Sequence, residues 1–261
     1  MLYHLEKRTN PFTSKSRNEL QYPPHIHPHL EMIYVKSGVS RVTVDNKAYP
    51  LKEGDLLLVF PNQIHFYQDE TPIDACMMIF VPDLFTDLNE IFQKKSPVSP
   101  ILHADQLPRD ISEQLAKIHE RLNTEDSFSR ISAKGCLLSL LSELLPQMTL
   151  VDAPADQDSI KRLLTYCTEH YAEPLSLELL SRNLHLNKYY ISHIFRERMN
   201  ISYKDFINQL RVEHACRLLV KDAQITEVAY ASGFSTIRTF NRAFQKHMEM
   251  TPRDYMKSNS R

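Results

Sequence analysis

The chain has 261 residues, 42% of them hydrophobic and 24% charged, which excludes a disordered protein and fits one or two soluble globular domains. The opening MLYHLEKRTNPFTSK offers no apolar stretch for a signal peptide, and no run approaches the roughly 18 apolar residues of a membrane span. A cytoplasmic protein without membrane contact is expected. The net charge of -1 hides an asymmetry: residues 158–261 carry 16 Lys and Arg against 11 Asp and Glu, a net of +5, and residues 1–157 carry 15 against 21, a net of -6. A basic C-terminal part on an acidic remainder points to one half that meets a polyanion. Cys76, Cys136, Cys167 and Cys216 are widely spaced, without the C-x-x-C pattern of a zinc knuckle or a disulfide framework.

In chain order, residues 31–81 read as strands: Glu31–Val35, Arg41–Val44, Leu56–Phe60, Ile64–Tyr67 and Ala75–Val81, separated by Lys36-Ser37-Gly38, Asp45-Asn46-Lys47, Glu53-Gly54-Asp55 and Pro61-Asn62. Several short strands at this spacing predict an all-β barrel or sandwich over residues 1–100. Its interior would be Ile33, Val35, Val42, Val44, Leu57 and Val59, the profile of a packed core or a small-molecule pocket. From 101 to 146 the period turns helical: Ile111, Leu115, Ile118 and Leu122 share one face, and Leu137, Leu138, Leu141, Leu144 and Leu145 form a denser one. One stripe can cover the barrel and leave the other for dimerisation. Residues 147–157 lose periodicity and read as a linker.

Residues 158–261 are helical in pattern throughout. Leu177-Glu178-Leu179-Leu180-Ser181 with Ile191-Ser192-His193-Ile194-Phe195 repeats as Ile225-Thr226-Glu227-Val228-Ala229 with Phe240-Asn241-Arg242-Ala243-Phe244. Each copy is a short helix, a tight turn and a longer helix, so two helix-turn-helix units are expected at about 175–198 and 225–247. The second helix of such a unit enters the DNA major groove. Its outward residues would be Lys188, Tyr189, Ser192, His193 and Arg196 in the first copy, where Tyr190, Ile191, Ile194 and Phe195 face inward. In the second they would be Thr236, Arg238, Thr239, Arg242 and Lys246. Arg238 and Arg242, one turn apart, suit bidentate contact with guanine, whereas Arg196 and Lys246 suit phosphates. A single basic helix face is as readily a solvated surface; two in a domain of net +5 favour DNA. A helix over Ser202–Leu219 joins the units, with Ser202 as its N-cap and Phe206, Ile207, Leu210, Ala215 and Leu219 as its buried face.

Residues 158–258 resemble the DNA-binding domain of the AraC/XylS family of bacterial transcription regulators. The match rests on Leu177, Leu180, Ile191 and Phe195, on Leu210-Arg211, Ala215 and Leu218-Leu219, and on Ile225, Ala229, Gly233-Phe234, Phe240, Arg242, Phe244, Lys246, Thr251-Pro252 and Tyr255. Ser181 stands where the family has Ala, and Asn200 and Glu249 where it has glycine; the poor fit of glutamate predicts an irregular end to the last long helix. In the N-terminal half, His25-Ile26-His27-Pro28-His29-Leu30-Glu31 with Gly38 resembles the first cupin motif, and Pro61 to His65 the second. Strand parity would project positions 25, 27 and 31 from one face, with His65 opposite. That resemblance makes His25, His27, Glu31 and His65 candidate ligand-binding residues and, as an N/O donor set, the candidates for a metal. Gln63 in place of glycine, Asp69 in place of asparagine, and Pro23, Pro24 and Pro28 degrade the motifs. Because the family keeps cupin remnants without a metal, neither metal nor cofactor is expected.

The expectation is a two-domain chain, an all-β cupin-like barrel with appended helices followed by an all-α domain with two helix-turn-helix units. The resemblance implies a sequence-specific regulator under small-molecule control, with double-stranded DNA, an effector, a second copy of itself and RNA polymerase as partners. The competing reading is a metal-dependent cupin oxygenase or isomerase with a helical appendage, which would not need a duplicated basic helix-turn-helix. No catalytic residue is expected.

Overall fold

The computed structural model describes residues 4–5, 10–154, 156–199, 201–220 and 224–259. They fall into two compact units, residues 6–157 and residues 158–261 with residues 1–5.

The first unit contains two antiparallel sheets. One runs in the order β10-β6-β3-β8-β1, formed by β1 (Phe12–Arg17), β3 (Leu30–Ser37), β6 (Leu56–Val59), β8 (Asp74–Phe80) and β10 (Ile101–Leu102). The other places β2 (Tyr22–Ile26), β7 (His65–Asp69), β4 (Val39–Val44) and β5 (Lys47–Lys52) side by side. Asp45 and Asn46, both at positive φ, close the β4–β5 hairpin, a geometry these residue types tolerate. The residues between the sheets, Ile33, Val35, Val42, Val44, Leu57 and Val59, are all buried in one core. On its opposite face the β3 sheet packs Leu30, Met32, Leu58 and Phe80 against helices. That is why β3 and β6 read as continuous apolar runs.

The helices start earlier than the sequence suggests. α1 (Thr86–Lys94) lies within the stretch assigned to the barrel, and α2 (Ile111–Leu122) and α3 (Ser127–Leu144) follow. Leu137, Leu141, Leu144 and Leu145 are buried in the same core as Ile111, Leu115 and Ile118. The denser stripe is therefore not left over for a partner. Leu138 is exposed, and Leu140 takes its expected place inside. The expected linker is also shorter. Lys95–Pro97 (β9) and Leu150–Asp152 (β11) pair as antiparallel strands, with Lys95 Nζ bonded to Asp152 Oδ1 at 2.7 Å.

The second unit runs α4 (Gln157–His170), α5 (Leu177–Leu184), α6 (Lys188–His193), α7 (Tyr203–Leu219), α8 (Ile225–Ala231), α9 (Ile237–Met248) and α10 (Pro252–Asn259). Side-chain caps set the starts: Ser176, Asn187, Ser202 and Thr236 each accept a backbone N–H of the first turn. The longer second helix of the first unit changes character at Ile194, where a π-helical turn spans Ile194–Arg198. Phe195, inside that wider turn, lies 5.1 Å from Phe206 and 5.3 Å from Tyr203, ring to ring. Glu249 corrects another expectation. It takes the left-handed conformation (φ 57) and its N–H donates to Gln245, so α9 ends in a regular cap. That conformation costs a non-glycine residue about 1–2 kcal/mol. Asn200, the other expected departure, lies outside the described residues.

Candidate functional site

The barrel brings His25, His27, Glu31 and His65 together, all buried, with one ligand atom of each within 4.8 Å of the others. Strand parity is not the reason. His25 lies near the end of β2 in one sheet, Glu31 lies on β3 in the other, and His27 sits where the chain crosses between them. Glu31 points into the barrel because it shares parity with Ile33 and Val35 of the same strand. His25 and His65 are cross-strand partners, beside a register shift at Pro23 and Pro24.

Each imidazole is anchored through Nδ1. His25 donates to Pro23 O at 3.0 Å, His27 to His29 O at 3.2 Å and His65 to Gln63 O at 2.9 Å. Nε2 of His27 lies 3.3 Å from Glu31 Oε2, and Nε2 of His65 lies 3.8 Å from Oε1. Tyr67 donates its hydroxyl to Oε1 at 2.6 Å. Burial alone pushes the Glu31 carboxyl up, but the imidazoles of His27 and His65 hold it well below the usual carboxylate range. Burial, then the neighbouring His65, lowers His25 to about 2. His25 is therefore a neutral imidazole beside the Glu31 carboxylate.

The residues that degrade the cupin motif leave this cluster intact. Gln63 accepts from Phe60 N and donates to Asp45, tying the loop, and Asp69 accepts from the backbone of Leu20 and Gln21. Around an ion with bonds of about 2.1 Å, donors stand about 3–3.5 Å apart, so the cluster needs little closure to hold one. By donor type and anchoring it fits a divalent first-row metal. The sequence did not single out Tyr67 or Arg17. Both line, with His25 and Glu31, a cavity of about 440 Å³.

In the second unit, all ten residues expected to face outward are exposed: Lys188, Tyr189, Ser192, His193 and Arg196 on the first second-helix, and Thr236, Arg238, Thr239, Arg242 and Lys246 on the other. Ile191, Ile194 and Phe195 are buried as expected, whereas Tyr190 is only half-buried. Three of the ten have work within the fold. Thr236 Oγ1 accepts the Thr239 N–H as the α9 cap, and Thr239 Oγ1 donates to Thr236 O. Lys246 Nζ donates to Asp205 Oδ1 at 2.7 Å, a bond that holds the Asp205 carboxyl below its ordinary range. Between solvent-exposed partners such a bond is worth at most about 1 kcal/mol, so a phosphate can compete for the lysine.

The two second-helices are held by one element. α7 buries Phe206, Ile207, Leu210, Ala215 and Leu219, and its Val212, Ala215 and Leu219 share a core with Val228, Phe234, Phe240 and Phe244. Arg211 Nε and Nη2 donate to the carbonyls of Tyr171 and Glu173, fixing the loop before α5. One unit carries two basic helices on a shared support, and the other is a double-sheet barrel with a polar cavity; together these are the two parts of a ligand-responsive DNA-binding regulator.

Comparison with known proteins agrees. The model of the AraC-like ligand binding domain matches residues 14–141, and that of a helix-turn-helix domain matches residues 180–258. The chain belongs to the AraC/XylS family of transcription regulators. It is 23% identical over 231 residues to an HTH-type transcriptional regulator of Staphylococcus aureus, covering 85% of this chain but only 30% of that protein. It is also 23% identical to the HTH-type transcriptional regulator YbfI of Bacillus subtilis, covering 82% of this chain and 80% of YbfI. Crystal structures of ToxT from Vibrio cholerae share the fold. One aligns at TM-score 0.56 and 15% identity over 95% of this chain and 98% of ToxT. Another, at TM-score 0.53 and 13% identity over 97% of each chain, holds an unsaturated fatty acid. Among the described residues, no helix is long and apolar enough to cross a membrane.

Proposed function

We propose that this chain is a sequence-specific regulator of transcription whose second unit reads double-stranded DNA and whose barrel receives a small-molecule effector. The observation that carries it is the pair of exposed basic second-helices built on one buried connecting helix. His193 and Arg242 occupy comparable outward positions in the two copies and serve as base-reading residues. Lys246 and Arg196 serve phosphates. His193→Ala and Arg242→Ala each relax base preference in one half of the site, at a cost of about 1–3 kcal/mol. Lys246→Ala instead weakens binding almost equally on all sequences. Selection from a randomised DNA pool reads the difference; unchanged preference in both of the first two variants refutes the assignment.

The effector reading rests on the polar cavity beside the histidine cluster and on family membership. A fatty acid in a ToxT structure gives a precedent for ligand occupancy in a protein of this fold, not the identity of this ligand.

The dimer reading rests on α3. While Leu137, Leu141 and Leu144 enter the core, Phe128 (79% exposed), Ile131 (64%) and Leu138 (36%) line the opposite side at helical spacing. Gly135 lies between them, with nothing within 4 Å of a would-be Cβ. A helix apolar on both sides requires a second cover, and a second copy laying the same helix across this face supplies it. Ile131→Glu gives a monomer in sedimentation analysis; a dimer of unchanged strength rejects this face.

A further inference from the structure

Asp205 stands where the two copies of the helix-turn-helix meet. Ser202, Tyr203 and Lys204, the residues just before it at the start of α7, wall a groove of about 700 Å³. The opposite wall includes Tyr189, His193 and Arg196 of the first second-helix, so the groove opens on the face assigned to DNA. The Asp205 carboxylate itself accepts two bonds. One comes from the Ser202 hydroxyl at 2.9 Å, the other from Lys246 Nζ, in the last turn of α9, at 2.7 Å. It therefore borders DNA-facing residues of both copies.

Neither of these bonds sets the start of α7. That start rests on Ser202 Oγ, which accepts the backbone N–H of Asp205 at 3.1 Å whatever the side chain at 205. α7 and α9 are joined independently, through Val212, Ala215, Phe240 and Phe244. The role of the carboxylate is electrostatic. A negative charge beside a surface that meets phosphates opposes binding by like-charge repulsion. Lys246 covers that charge, but one ammonium cannot neutralise a carboxylate and a phosphate at the same time. The lysine side chain is 59% exposed and the aspartate 32%, so a phosphate can reach the pair.

We propose that Asp205 is an internal competitor of DNA phosphate for Lys246, and that it lowers the affinity of the chain for duplex of any sequence. Binding without base contacts consists almost wholly of phosphate neutralisation, so one withheld cation is read most directly there. This deepens the DNA reading proposed above and rests on it.

The test measures binding of the full chain to a labelled mixed-sequence duplex by fluorescence anisotropy over a salt series. Asp205→Asn keeps a side-chain oxygen for the Ser202 hydroxyl and loses the charge. It binds up to about fivefold tighter than wild type, the most that an exposed ion pair returns. Its salt slope steepens by about one, the mark of one more phosphate neutralised. Asp254→Asn is the control: Asp254 accepts the Thr251 hydroxyl and donates its N–H to Thr251 Oγ1 in the same cap on α10. It removes the same charge without freeing Lys246, and both affinity and slope stay near wild type. In a Lys246→Ala background the gain from Asp205→Asn shrinks and the slope no longer steepens. Circular dichroism checks that each variant is folded, and Asp205→Ser is the second neutral variant should Asp205→Asn unfold. No tightening in the folded neutral variant, tightening matched by Asp254→Asn, or a gain as large without Lys246 overturns the proposal alone. Wild type that fails to bind the duplex even at low salt overturns the DNA reading and this proposal with it.

Discussion

Val212→Pro abolishes specific DNA binding by the full chain. Val212 sits mid-way along α7 (Tyr203–Leu219), fully buried, in the core shared with Phe240 and Phe244. Proline there removes a helix hydrogen bond and clashes with the preceding turn, costing about 3 kcal/mol or more. The kink separates the supports of the two basic helices even where each short unit retains its shape. Fluorescence anisotropy on a labelled target site measures the loss, with Val212→Ile as the control that keeps the helix. Affinity within a few-fold of wild type would show that α7 need not be continuous.

Gly233→Ala has the second largest effect, and it acts on stability. Gly233 stands at φ +87 in the turn between α8 and α9, where a Cβ would lie 2.6 Å from Ala172 O and 2.7 Å from Ala172 Cα. The left-handed backbone alone costs a non-glycine residue about 1–2 kcal/mol. Displacing a backbone segment adds to that, because both contacts are main-chain atoms. A loss of at least about 2 kcal/mol lowers the melting temperature of a unit this size by about 10 °C. Calorimetry checks it; a melting temperature within a degree or two of wild type shows that the turn can relax. The glycine therefore serves two needs, a positive φ and close approach to the loop before α5. The second need, contact with a loop some sixty residues earlier, carries no local sequence signal.

The same division runs through the molecule. Helix periodicity and the Ser202 cap located the two helix-turn-helix units and α7 because those signals are local, the cap acting through a bond that spans three residues. Strands bounded by turn residues were legible from Leu30 to Phe80, apart from Lys47–Lys52. Pro50 obscures that strand, and it lies at the end of its sheet, where a ladder bond can be spared. Tyr22–Ile26 was hidden by Pro23 and Pro24, and Phe12–Arg17 by its polar residues. In α3 the period could not separate two apolar faces, so Leu138 was exchanged for Leu140. The histidines and Glu31 were legible by type and spacing, but their convergence depends on a crossing between sheets. Arg17 and Tyr67 come from other strands and carry no local signal. The pairing of Lys246 with Asp205 spans 41 residues and was equally invisible.

The two helix-turn-helix units of one chain read DNA together. The 17 residues of α7 extend about 26 Å at 1.5 Å per residue, and the flanking turns supply the remainder of the roughly 34 Å between successive major grooves on one face of B-DNA. Hydroxyl-radical footprinting of the full chain on a selected site measures this directly. The account predicts, for each protomer, protection of two adjacent major-groove segments on one face of a non-palindromic site of about two turns. Protection confined to a single segment per protomer would contradict it.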